Sequence, residues 1–157
     1  VPWTVTLDKA GQYTAFVLFW PRGDKETLLK VPVQVGSGKL PSAHLTPDEN
    51  MVREVDGLTV QLEARQPFTA GQHQYIQFNI RDTQGRDRTK ETEMLSGDQI
   101  GLYIVDQNLT TLIRSEFVQR DRLQFSVKFP HKGLYKAWFE FVSAGKLHQV
   151  AFVLEAE

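Results

Sequence analysis

The sequence predicts an all-β protein built as an antiparallel sandwich, and three observations lead there. Short runs alternate apolar and polar residues at period 2, with turn residues between them. Almost no stretch shows a helical period. One strand pattern also occurs twice: A-G-Q-Y-T-A-F-V-L-F at 10–19 and K-G-L-Y-K-A-W-F-E-F at 132–141. At an offset of 122, Trp3, Val5, Leu7, Gly11, Tyr13, Ala15, Phe16 and Phe19 fall on Phe125, Val127, Phe129, Gly133, Tyr135, Ala137, Trp138 and Phe141. Such self-similarity marks a repeated supersecondary unit.

Composition narrows the function classes. The chain has 157 residues, 41% of them hydrophobic and 11% aromatic, which is enough for a real core. Eighteen Lys and Arg against 19 Asp and Glu leave a net charge of −1, without the basic footprint of a nucleic-acid binder. No apolar run reaches about 18 residues, so no helical membrane span is expected in this chain. The absence of cysteine removes disulfides, thiolate catalysis and Cys-type zinc sites.

Residues 3–7 alternate as a first strand, D-K-A-G turns the chain, and 13–20 form a second. Pro21 to Lys25 turn again, with Arg22-Gly23-Asp24 read as turn chemistry rather than an adhesive tripeptide. Residues 28–35 return as a third strand, and Pro32 within it points to an edge or bulge, since proline cannot donate to a ladder. Residues 37–44 have linker composition. A longer unit follows over 45–157. Thr46-Pro-Asp-Glu-Asn suits one helical turn or an extended approach. Strands are expected at 58–64, around 76–80, at 100–105, 109–117, 123–129, 134–142 and 147–154, the last two joined by Ser143-Ala-Gly-Lys. The charged stretch 82–98 reads as a solvated loop or crossover.

The repeat carries a second signal. Asp8-Lys-Ala-Gly11-Gln-Tyr13-Thr-Ala15 and His131-Lys-Gly133-Leu-Tyr135-Lys-Ala137 both fit the corner of an immunoglobulin-like sandwich, where a tyrosine bonds back to the preceding turn. Gly11, Tyr13, Gly133 and Tyr135 are therefore expected to fix structure, not to catalyse. Residues 45–157 have enough strands to close a sandwich. Residues 1–36 hold only the last three strands of a second one, too few to bury both faces. Completion is expected from packing on the longer unit, from another chain, or from a segment upstream of Val1.

The run F-S-V-K-F-P-H-K-G-L-Y-K-A-W-F-E-F, followed by G-K-L-H-Q-V-A-F-V-L-E, resembles bacterial secreted or periplasmic domains of the YtkA-like, heavy-metal-associated kind. The likeness covers about 100–155 and, more weakly, 58–81. It implies a β-sandwich, a cell-envelope location and, in many relatives, a His-x-His-Pro motif able to bind copper or zinc. Here Arg114 and Glu116 stand at the two histidine positions and Phe117 at the proline, so the metal function is expected to be lost.

Other chemistry is thin. His44, His73, His131 and His148 form no H-x-H or H-x-x-x-H pair, and Met51 and Met94 are far apart. No nucleophile elbow, phosphate loop or dinucleotide motif occurs. Glu91 and Glu93 lack the apolar setting that raises a catalytic carboxyl. Trp3, Trp20, Trp138, Tyr103 and Tyr75 could stack sugars only if several shared one open face; packing is the expectation for them.

The sequence thus points to a non-enzymatic, periplasmic or extracellular interaction module. It would be an accessory part of a larger or membrane-anchored assembly, with no cofactor and with a protein or neighbouring domain as partner. Any anchor would lie in an upstream segment. Trp20, Arg114, Glu116 and Phe117 are the candidate interaction residues. Copper or heavy-metal handling is the alternative, and carbohydrate binding a weaker one.

Overall fold

The computed structural model describes residues 5–19, 21, 27–37, 44–92 and 101–157. Trp3, Trp20, Arg22-Gly23-Asp24, Met94, residues 38–43 of the linker and 93–98 of the charged stretch lie outside them. The chain divides into two compact units, Val1–His44 and Leu45–Glu157.

In the smaller unit β1 (Gly11–Phe19) and β2 (Thr27–Val35) form an antiparallel hairpin running from Gly11 opposite Val35 to Phe19 opposite Thr27. Residues 5–8 are not in a strand. The expected first strand is thus absent from the described part of 3–7. Alternation alone cannot hold a strand there, and no described residue pairs with it.

The larger unit contains β3 (Val52–Val55), β4 (Leu58–Ala64), β5 (His73–Asp82), β6 (Gly101–Asp106), β7 (Leu112–Arg114), β8 (Glu116–Gln119), β9 (Gln124–Lys128), β10 (Gly133–Ser143) and β11 (Lys146–Ala156). They form a five-stranded sheet, β3-β4-β5-β9-β8, and a four-stranded sheet, β11-β10-β6-β7, with every neighbouring pair antiparallel. This is an all-β sandwich. Alternation along each strand sends one set of side chains into a shared core. Val60, Leu62, Ile76, Phe78, Ile80, Phe125 and Val127 come from one sheet; Leu102, Ile104, Ala137, Phe139, Phe141, Val150 and Phe152 from the other. The Phe78 and Phe139 rings stack across the layers at 3.8 Å and 3°.

Two tight turns set register. Asp56-Gly57 (φ 49° and 77°) joins β3 to β4, and Ala144-Gly145 (φ 50° and 72°) joins β10 to β11. Positive φ at both central positions matches the right-handed strand twist.

Strand β3 has no counterpart among the expected elements. The expected single strand at 109–117 is two short ones in different sheets: β7 pairs with β6, β8 with β9. The chain changes layer at Ser115, whose Oγ donates to Leu102 O at 2.8 Å. Residues 46–50 take the extended alternative, with Asp48 N donating to Val153 O at 2.9 Å.

Candidate functional site

Phe129 to Lys132 carry the chain from β9 to β10 across the top of the core. Gly133 there has φ 141°, a backbone region that side chains other than glycine's rarely tolerate. Two residues on, the buried Tyr135 ring packs 4.9 Å from Phe129, and its Oη donates to His131 O at 2.7 Å while accepting from His131 N at 3.3 Å. Burial raises the Tyr135 phenol above its ordinary pKa, keeping it a neutral donor. In the hairpin unit Tyr13 Oη makes the same four-residue return, to Lys9 O at 2.8 Å. Both hydroxyls are committed to backbone, which leaves neither free for substrate.

The other candidates are not gathered together. Arg114 is exposed in β7, opposite Tyr103, and Glu116 is exposed in β8, opposite Ser126. Two residues apart in sequence, they belong to different sheets, so the pair does not share a strand face. Phe117 is half-buried, 5.2 Å from the Phe125 ring at the margin of the core. Trp20 is outside the described residues.

Each of three histidines has its own local role. His131 forms the corner, and His73 Nδ1 lies 3.4 Å from Ser126 Oγ. His148 is buried, stacked on Phe141 at 5.1 Å, with Nδ1 3.0 Å from Asp56 Oδ2. Lys146 Nζ reaches the same oxygen at 3.0 Å. The Lys146 bond, joined by the Lys146 charge and the His148 bond, outweighs the opposing effect of burial and holds the Asp56 carboxyl below its usual value. This knot ties the β3–β4 turn to the β10–β11 turn. Among the described residues no three His, Asp or Glu side chains gather as a metal site.

Carboxylates elsewhere fasten loops. Burial pushes the Asp82 carboxyl up, but bonds from Arg86 N and Nε, Gln84 N and Arg88 Nε outweigh it and bring it down to about 2. Asp106 is likewise held low against its burial by Thr110 Oγ1 and by the Thr110 and Thr111 backbone. In the charged stretch 82–98, read from sequence as a solvated loop or crossover, the buried Thr89 Oγ1 accepts from Ile80 N at 3.0 Å and anchors the loop to β5. Asp48 spans β3 and β11: Oδ2 accepts from Val153 N at 2.7 Å and pairs with Arg53, whose Nε donates to Ala151 O and whose guanidinium lies 4.8 Å from the centre of the Phe152 ring. Sequence reading missed β3 and this strap together. The Asp56-Gly57 pair between apolar residues was the available signal for the hairpin; nothing local marks the strap.

Two open grooves of about 640 and 590 Å3 lie at the ends of the larger sheet. Arg65, Pro67, Gln72, His73 and Tyr75 line the first, where Tyr75 is well exposed. Glu54, Asp56, Arg81 and Asp82 line the second. Neither brings a nucleophile and a base within bonding reach, and neither offers paired aromatic faces for a sugar.

Residues 53–157 match the model of a protein family described as Domain of unknown function (DUF8832). The chain belongs to that family. No curated protein and no solved structure matches it.

Proposed function

We propose that this member of the DUF8832 family is a non-enzymatic, immunoglobulin-like interaction module of the bacterial cell envelope. It holds a protein partner or neighbouring domain within a larger assembly. In the larger unit the order β4-β5-β9-β8 facing β11-β10-β6-β7 parallels the A-B-E-D and G-F-C sheets of immunoglobulin domains, with Tyr135 at the corner before the penultimate strand. The envelope location rests on the resemblance to YtkA-like domains alone.

One observation carries the docking role. The hairpin β1–β2 repeats the registered pairs of β10–β11, yet its apolar positions are open. The pair Ala137 and Phe152 becomes Ala15 and Val31, and Phe139 and Val150 becomes Val17 and Leu29. Phe152 and Val150 are 1% and 6% exposed; Val31 and Leu29 are 41% and 49% exposed. Apolar side chains set in core register and left in water favour a partner.

Photo-crosslinking residues placed at Leu29 and Val31 in the native cells test this. A discrete protein adduct from each is expected, the one from Leu29 disappearing in a Val31→Lys background, with none from Val118, which is exposed on β8. Equal labelling at all three positions, or none, would sink the reading. For the metal alternative the check is calorimetric titration with Cu(I) and Cu(II), where no saturable uptake is expected.

A further inference from the structure

The two long edges of the hairpin are not equivalent. In β10 the even-numbered residues face β6: Lys136, Trp138 and Glu140 stand opposite Val105, Tyr103 and Gly101, and Leu134 O accepts from Gln107 N at 2.9 Å. By the offset of 122 their counterparts in β1 are Gln12, Thr14, Phe16 and Leu18. No strand among the described residues pairs with that side of β1.

The outer edge of β2 differs. Lys136 stands opposite Val153, whose outward N–H is taken by Asp48. Thr14, the counterpart of Lys136, stands opposite Pro32. Proline has no N–H to offer at that outward position, so strand addition to β2 is blocked there by the residue itself. Among the described residues the edge left open is that of β1.

We propose that β1 accepts a β-strand from another polypeptide, antiparallel, laddered to Gln12, Thr14, Phe16 and Leu18. Its side chains opposite Ala15 and Val17 would be apolar, as Ile104 and Leu102 are opposite Ala137 and Phe139. Gly11–Phe19 contains no charged residue, so recognition rests on backbone bonds and two apolar contacts spaced two residues apart. This inference rests on reading the hairpin as the closing strands of an immunoglobulin-like unit, and it specifies what that unit takes up.

The probe is a synthetic peptide carrying the β6 sequence G-L-Y-I-V-D between solubilising lysines, titrated into the isotopically labelled 157-residue chain. Saturable amide shifts confined to β1, with slowed hydrogen exchange at Gln12, Thr14, Phe16 and Leu18, are expected. N-methylation of the peptide at its Tyr or Val amide, which with the Gly amide would face β1, should weaken binding about tenfold or more; N-methylation at Leu or Ile should not. A Thr14→Pro chain should lose binding while keeping its β1–β2 cross-strand contacts. Shifts along β2 or in the larger unit, insensitivity to the methylation pattern, or no shift at millimolar peptide would each overturn the proposal. So would peptide-free dimerisation that protects β1, since the edge would then belong to a second copy. If peptide binding fails while adducts still form at Leu29 and Val31, the strand-addition idea falls and the docking role stands.

Discussion

The β10–β11 and β1–β2 hairpins spell nearly the same pattern, return the same tyrosine bond, and end in different environments. In β10–β11 the alternate residues meet a five-stranded sheet and are sealed. In β1–β2 the matching residues are half-buried or exposed. Local pattern is therefore enough to make the hairpin, while burial comes from elements remote in sequence. The β10–β11 hairpin has β6 paired beside it and β4-β5-β9 across from it, whereas among the described residues β1 and β2 pair only with each other.

Substitutions at matched positions should separate the two. The largest effect belongs to Phe139→Ala, which empties the stack on Phe78 and should cost about 3–5 kcal/mol by denaturant unfolding. The matched Val17→Ala in β1 should cost under about 1 kcal/mol, because neighbouring water already reaches that hairpin. Similar losses at both sites would break the comparison. Next, Tyr135→Phe leaves a carbonyl unpaired beside a buried ring and should cost about 1–3 kcal/mol. Tyr13→Phe, at a more open corner, should cost about 0.5 kcal/mol or less by the same measurement.

The acid response should be one-sided as well. Asp82 is held at about 2 against an ordinary 3.8, so the native state binds fewer protons than the unfolded chain between those values. Its contribution is complete above about pH 4 and is lost as the pH falls through 2. Asp82→Asn should lower the stability of the larger unit at neutral pH and bring the two proteins together near pH 2, with hairpin amide exchange unchanged. The one stabilising change concerns Ala144, a non-glycine residue at φ 50°. Ala144→Gly should stabilise the larger unit by up to about 1 kcal/mol, seen as a slightly raised Tm.

Much of the fold was legible because sandwich strands announce themselves by alternation. The corner tyrosines were legible through the four-residue spacing that brings a hydroxyl back to its own turn. Other features were not. The knot of Asp56, Lys146 and His148 spans 92 residues of sequence, and the Arg53 bond to Ala151 O spans 98. Which carboxylate meets which amide follows from how the layers stack, and no local spacing encodes it. At 109–117 nothing local marks the change of layer: L-T-T-L-I-R-S-E-F contains neither glycine nor proline, yet β7 pairs with β6 and β8 with β9. That is why Arg114 and Glu116, neighbours by count, end on opposite layers. Among the candidate interaction residues Phe117 packs at the margin of the core, while β2 exposes Leu28, Leu29 and Val31, which local pattern did not single out.

The passage through Ser115 has a mechanical side. A covalent stitch between the layers means neither can shear past the other without dragging the backbone across the gap and releasing the hydroxyl from Leu102. A load applied to one layer is passed to its opposite at that point.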